Sequence, residues 1–178
     1  LHTALRRQRQ MCIRDRKSGA IINVSSQAGR RPFALMSHYC ATKYALNGLS
    51  EMMAHELAQF NIRVTLIEPG TVITPIFGKG NSIPEDEENY SLFQGRMIRQ
   101  VTKGLTELGC GPELIAECIV DFVTTDDPKL HYLLDKDAVD NVDVFHKYGP
   151  ETWVSDGKIL DDEEFFNTMK DRYGYDIG

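Results

Sequence analysis

The sequence contains no apolar run long enough to cross a bilayer, no internal repeat, no low-complexity tract and only one tryptophan. The missing apolar run excludes a membrane-spanning helix, and nothing reads as a signal peptide. The four cysteines, Cys12, Cys40, Cys110 and Cys118, stand in no metal-ligand spacing. That spacing excludes a zinc ribbon and favours free thiols in a reducing compartment over a disulfide scaffold, so the expected location is cytoplasmic. His55 and Glu56 begin a zinc-protease motif, but no second histidine follows four positions later. No metal site is expected.

Positive charge is also scarce once its distribution is considered. The formal net charge is -6, yet residues 1–16 carry five arginines against one aspartate; removing their +4 leaves -10 for the rest. Residues 6–16, written in codons, are the translation of a transposase adapter used in sequencing libraries. Residues 1–16 are therefore expected to be an artefact, with native coding sequence beginning near Lys17. Without that basic arm nothing argues for nucleic acid as a partner. The 42% apolar content supplies one core for about one domain.

What is present alternates in type. Residues 20–24, AIINV, form a short branched run that predicts a strand, closed by Ser25 and Ser26. From 39 to 60, Ala45, Leu46, Leu49, Met52, Met53, Leu57 and Phe60 recur at helical spacing and predict a long amphipathic helix. Residues 62–67 predict a second strand, stopped by Pro69 and Gly70. Pro112 opens a helix that ends at TTDDP, residues 130–134 form a third candidate strand, and a short helix is expected over 161–173. This order predicts an α/β fold with a parallel, doubly wound, Rossmann-like sheet. Such sheets bind ligands beyond the carboxyl ends of their strands, where Ser25–Ser26 and the 69–74 segment both fall. Residues 78–89, polar with glycine and proline, predict a loop over that edge. The expected organisation is a catalytic part over 17–138 and an acidic, aromatic extension over 139–178.

Tyr39 and Lys43 stand four apart on the predicted helix, so their side chains lie one turn above the other. A free tyrosine has a pKa near 10, and a neighbouring ammonium stabilises the phenolate, which makes it a usable acid or base. A serine hydroxyl at the facing strand end can hydrogen-bond the same substrate oxygen. Proton donor, charge and orienting hydroxyl together describe a site for an alcohol and its carbonyl.

The blocks IINVSSQAG, YCATKYALNGLSEMMAHEL and IRVTLIEPGTVITPIF, in that order, resemble the catalytic half of the short-chain dehydrogenase/reductase family. The resemblance covers residues 19 to about 77 and continues more weakly to 134. It implies an NAD(P)-dependent oxidoreductase that interconverts a secondary alcohol and a ketone. Tyr39 would be the general acid/base, Lys43 would lower its pKa and hold the nicotinamide ribose, and Ser26, rather than Ser25, would orient the carbonyl. Pro69, Gly70, Val72 and Thr74 would line the nicotinamide of NAD or NADP. A small-molecule alcohol or ketone is the implied partner, lipophilic in several relatives with C-terminal extensions, and the long helix implies a homodimer or homotetramer. The family's glycine-rich phosphate turn does not occur upstream of Ser26. This chain is accordingly expected to be an incomplete, inactive portion. An epimerase or dehydratase and a non-catalytic binding or scaffold protein are the alternatives.

Other residues carry ordinary expectations. Cys40 is read as a small packing residue, Arg30 and Arg31 as solvated, and His38, His131 and His146 as unclustered. Gly48 is read as a site of close helix or subunit packing, and Met52 and Met53 as core or interface filler.

Overall fold

The computed structural model describes residue 12 and residues 15–79, 87–174 and 176. Three parallel strands form one sheet in the order β1 (Gly19–Val24), β2 (Ile62–Glu68), β3 (His131–Leu133). Gly19 pairs with Ile62 and Val24 with Ile67, while Leu66 to Glu68 pair with His131 to Leu133. The expected α/β class and parallel sheet are what the chain forms.

Central β2 is the most buried strand: Ile62, Val64, Leu66 and Ile67 all lie inside. A strand covered on both faces by crossover helices reads as a continuous apolar run, and IRVTLI, ahead of the closing Glu68, does so apart from Arg63 and Thr65. Both exceptions are hydrogen-bonded. Arg63 donates to the carbonyls of Phe122, Val123 and Thr125 at the end of a helix, where a cation meets the negative end of the dipole. Thr65 donates to the carbonyls of Lys129 and Leu130.

Helix α1 (Ser37–Leu57) connects β1 to β2, continued by a 3-10 turn at Ala58–Phe60. Between β2 and β3 lie α2 (Glu87–Lys103), a π-helical turn at Gly104–Leu108, and α3 (Pro112–Thr124). After β3 come α4 (Lys136–Asp156) and α5 (Asp162–Tyr173). The strands and α1, α3 and α5 match the sequence pattern closely. Helices α2 and α4 do not follow from it, and the first residues of α2 fall within the expected loop, whose residues 80–86 lie outside the described residues. Helix α4 also runs through the boundary expected after Ala138, a fully buried residue. Its sequence conceals it: Gly149 takes a left-handed φ of 81° ahead of Pro150 and breaks the helical period partway.

Helix α5 is set by its ends. Asp161 accepts from the Glu164 amide at 2.8 Å, acidic residues fill the first turn, and Lys170 and Arg172 sit in the last before Gly174 at φ 64°. Its Met169 packs with Leu108, Phe165, Phe166 and Tyr173. Among the described residues no helix is long and apolar enough to cross a membrane.

Candidate active site

The ends of β1 and β2 lie side by side, as a parallel pair requires. The Ser25 amide donates to the Ile67 carbonyl at 2.7 Å and the Gln27 amide to the Pro69 carbonyl at 3.0 Å. These bonds carry the pairing past the last strand residues and bring the serine segment against the Pro69–Gly70 turn.

Ser26 is 6% exposed, and its hydroxyl accepts from the Ala28 amide at 3.2 Å, capping the 3-10 turn Gln27–Gly29. A hydroxyl has one donor and two acceptor positions, so this bond leaves its proton available to a substrate oxygen. Ser25 is engaged differently, its hydroxyl donating to Asn47 Oδ1 at 2.6 Å. The Ser25 proton is thus committed to Asn47, while the Ser26 hydroxyl is engaged as an acceptor.

Tyr39 lies in the first turn of α1, 41% exposed, with the Lys43 ammonium 5.5 Å from its ring centroid. Lys43 reaches across to the sheet, donating to the carbonyls of Val24 and Ser25 at 3.2 and 3.1 Å. It thereby ties the tyrosine turn to the strand end that carries Ser26. Partial burial pushes the Lys43 ammonium below its ordinary pKa, since desolvation disfavours the charged form.

The Pro69–Thr74 segment is held from behind by two carboxylates at the start of α4. Asp135 accepts from the Gly70 amide at 2.9 Å while capping α4 through the Ala138 amide at 2.7 Å. Asp137 accepts from the amide and hydroxyl of Thr71, both at 3.0 Å, and from Gln27 Nε2 at 2.8 Å. A side chain at Gly70 would place its Cβ 2.4 Å from Asp135 Oδ1, so only glycine fits against this clamp. Burial pushes the Asp135 carboxyl above its ordinary pKa, against the lowering pull of the two amides. The neighbouring Cys110 thiol, which donates to Asp135 at 3.4 Å, is pushed up to about 11, chiefly by burial. Val72 bridges in parallel to Cys110, and Thr74 follows at a half-buried bend on the same edge.

Sequence reasoning missed the polar core behind this edge. Asn47, 4% exposed, donates to the Gly29 carbonyl at 3.1 Å and to Glu68 Oε1 at 2.6 Å. Glu68 is fully buried, and its other oxygen meets Arg30 at 3.4 Å and His131 Nδ1 at 3.0 Å. His131, expected to be unclustered, thus stands between Glu68 and Glu51, the latter 3.5 Å from Nε2. One signal was available: Asn47 stands four residues after Lys43, on the same side of the helix one turn further on. The two aspartates in LLDKDA, directly after a strand, were a second such signal, since the first is an N-cap type.

Arg31 is a correction. Expected in solvent, it is 7% exposed, with its guanidinium 4.7 Å from the ring centroids of both Phe33 and Trp153 and hydrogen-bonded to Asn141. It joins the segment between Ser26 and Tyr39 to α4. Beside it lies a cavity of about 240 Å³, walled by that segment and by α2, α4 and α5.

The arrangement is a cation, an accessible phenol and a donor hydroxyl at the carboxyl edge of a parallel sheet. The family model for short chain dehydrogenases matches residues 2–84. A short-chain dehydrogenase from Streptomyces avermitilis shares the fold with a TM-score of 0.66 and 35% identity, covering 83% of this chain and 53% of its own. The chain belongs to the short-chain dehydrogenase/reductase family. Oxidoreductase BOA17 of Botryotinia fuckeliana is 32% identical over 72% of this chain and 47% of its own length. Human retinol dehydrogenase 8 is 32% identical over 65% of this chain and 39% of its own. The chain thus spans about half the length, or less, of these curated relatives. Its parallel sheet is part of the family's Rossmann fold, and the family uses NAD or NADP.

Proposed function

We propose that the protein interconverts a secondary alcohol and a ketone, with Tyr39, Lys43 and Ser26 as its catalytic residues. The observation that carries the reading is Lys43, which spans from the Tyr39 ring to the carbonyls at the end of β1. It places a positive charge beside an accessible phenol on this edge and next to the serine turn.

The nicotinamide half of NAD(P) suits the residues present. A lysine ammonium and a tyrosine hydroxyl on adjacent turns offer the donors and acceptor that a ribose diol needs, and the rigidly clamped Pro69–Thr71 backbone gives a flat carboxamide-bearing ring a fixed wall. Lys43 and Tyr39 would hold the ribose, with Pro69, Gly70, Val72 and Thr74 along the ring. When bound, the cofactor supplies or accepts the hydride.

The protein's own residues manage the oxygen and its proton. In the oxidative direction the Tyr39 phenolate takes the hydroxyl proton, while the Ser26 hydroxyl donates to the substrate oxygen and fixes its direction. Lys43 stabilises the phenolate by proximity of charge. In reduction Tyr39 returns the proton to the same oxygen. The Asp135–Asp137 clamp takes no part in proton transfer; it keeps the turn at one distance from Ser26. The exposed apolar side of α1, with Tyr44, Leu49 and Met52 in solvent, belongs in this reading to the interface of a homodimer or homotetramer.

The test measures cofactor binding and turnover of the protein separately. Tyr39→Phe is expected to lower turnover by roughly a hundred- to ten-thousand-fold while cofactor affinity holds. Turnover unchanged in that variant would remove Tyr39 from the chemistry and the proposal with it.

A further inference from the structure

We propose that the cavity between the Arg31–Ala34 segment and helices α2, α4 and α5 binds the apolar body of a neutral, ring-bearing ketone or alcohol. Naming the ligand a ketone or alcohol rests on the function proposed above; its size, neutrality and apolar character rest on the cavity alone.

Its volume is about 240 Å³, roughly the space of eight molecules of liquid water. That is room for a fused pair of rings. Phe33, Phe93, Met97, Phe145, Trp153 and Phe165 are among the residues that line it. Aromatic faces and a thioether offer dispersion contact to a flat ligand and little to solvate a charge.

The charged groups that also reach the cavity are already committed. Arg96, 5% exposed, pairs with Asp162 at 2.8 Å, donates to the Ile159 carbonyl at 2.9 Å and stacks 3.8 Å from the Phe165 ring centroid. Asp156 is bound by Arg172 and Tyr173, and Asp140 by Lys136. Arg31 is engaged by Asn141 and two rings. An ionic ligand would have to compete with these partners for Arg31, Arg96 or Asp156, each no more than 7% exposed, and displacing one forfeits a pairing already made out of water, which is costly. A neutral ligand displaces none.

Two connections tie the cavity to the site. Phe33 and Ala34 belong to the segment that leads from Ser26 to Tyr39, and the Phe33 amide meets the sulfur of Cys40, the residue after Tyr39, at 3.4 Å. On the far wall Asn141 donates to Asp137, which holds Thr71 of the nicotinamide turn. The break at Gly149 lets one stretch of chain contribute to the wall on both sides of the bend, through Tyr148 and Trp153.

Trp153 is the only tryptophan in the chain and a wall residue, so it reports occupancy directly. The 178-residue chain is titrated with 2-acetonaphthone under selective tryptophan excitation, without cofactor. Saturable quenching is expected, and 2-naphthoate, of similar shape but anionic, should bind at least about tenfold more weakly. Ala34→Phe and Val144→Phe, which fill the cavity from opposite walls, should each weaken 2-acetonaphthone binding at least about tenfold with melting curves like the parent. Absence of saturable quenching, equal affinity for the naphthoate, or unchanged affinity in a folded filling variant would each overturn the proposal. The readout does not involve hydride transfer. If Tyr39→Phe leaves turnover intact while quenching behaves as expected, the proposed chemistry falls and the binding cavity stands.

Discussion

The two sides of α1 reverse the usual pattern of a helix against a sheet. Its most buried residues are Cys40, Asn47 and Ser50, and its outer side carries Tyr44, Leu49 and Met52 at 43%, 57% and 54% exposure. Polar groups turn inward because each is satisfied there: Asn47 links Ser25, Gly29 and Glu68, and Ser50 accepts from Asn23 at 2.8 Å while donating to the Leu46 carbonyl. Apolar groups turn outward with no neighbour among the described residues positioned to cover them, and a Cβ at Gly48 between them would meet nothing within 4 Å. The contrast shows that a helix can be recruited to the sheet by a hydrogen-bonded network and still keep an apolar side for a second partner.

The sharpest way to break this comparison is to empty the inner side. Asn47→Leu keeps the volume roughly constant but strips a donor from the fully buried Glu68 and from the Gly29 carbonyl, and an acceptor from Ser25. A loss of about 3 kcal/mol is expected in denaturant unfolding, because buried groups lose partners that water cannot replace. A loss below about 1 kcal/mol would mean that the network is not what holds the helix down.

A smaller effect lies at the clamp behind the turn. The folded-state pKa of Cys110 stands above its ordinary value, so the protonated thiol is favoured by folding. Its contribution is full below pH 9.0 and is lost as pH rises through about 11. Cys110→Ala should flatten this part of the alkaline decline in unfolding free energy. An identical pH profile in the variant would show that the thiol's surroundings do not distinguish its two forms.

The smallest effect on stability, and the most informative about the outer side, is expected from Leu49→Glu. Unfolding free energy should change by no more than about 0.5 kcal/mol, since the side chain is already in solvent. Molar mass by light scattering should fall to that of a smaller species. A parent protein that is already monomeric at micromolar concentration would end the interface reading of this side.

How much could be read in advance varied with the kind of interaction. The strands were legible because a short run of branched residues bounded by Ser-Ser or Pro-Gly has few other uses. Tyr39, Lys43 and Ser26 were legible because their spacing fixes which turn and which strand end they occupy. Helix α4 was not, since Gly149 and Pro150 interrupt its period and its buried residues include Asp137 and Asn141. That Leu49 and Met52, which share the apolar spacing of α1, lie in solvent was not legible for the converse reason: hydrophobicity marks surface that prefers to leave water, without saying what will cover it.

The sequence by itself determined the order of the three strands and of α1, α3 and α5, the parallel class of the sheet, and the placement of tyrosine, lysine and serine on one edge. Those follow from local periodicity, turn chemistry and the geometry of a crossover, all encoded over a few residues at a time. Only the tertiary structure decided that Arg31 is buried between Phe33 and Trp153, that Asp135 and Asp137 grip the Gly70 turn, and that Glu68 draws Asn47, Arg30 and His131 together. These contacts join residues up to 122 positions apart, from Arg31 to Trp153. No local pattern specifies such pairings, because burial makes each polar group seek whichever partner the packed chain happens to bring within reach.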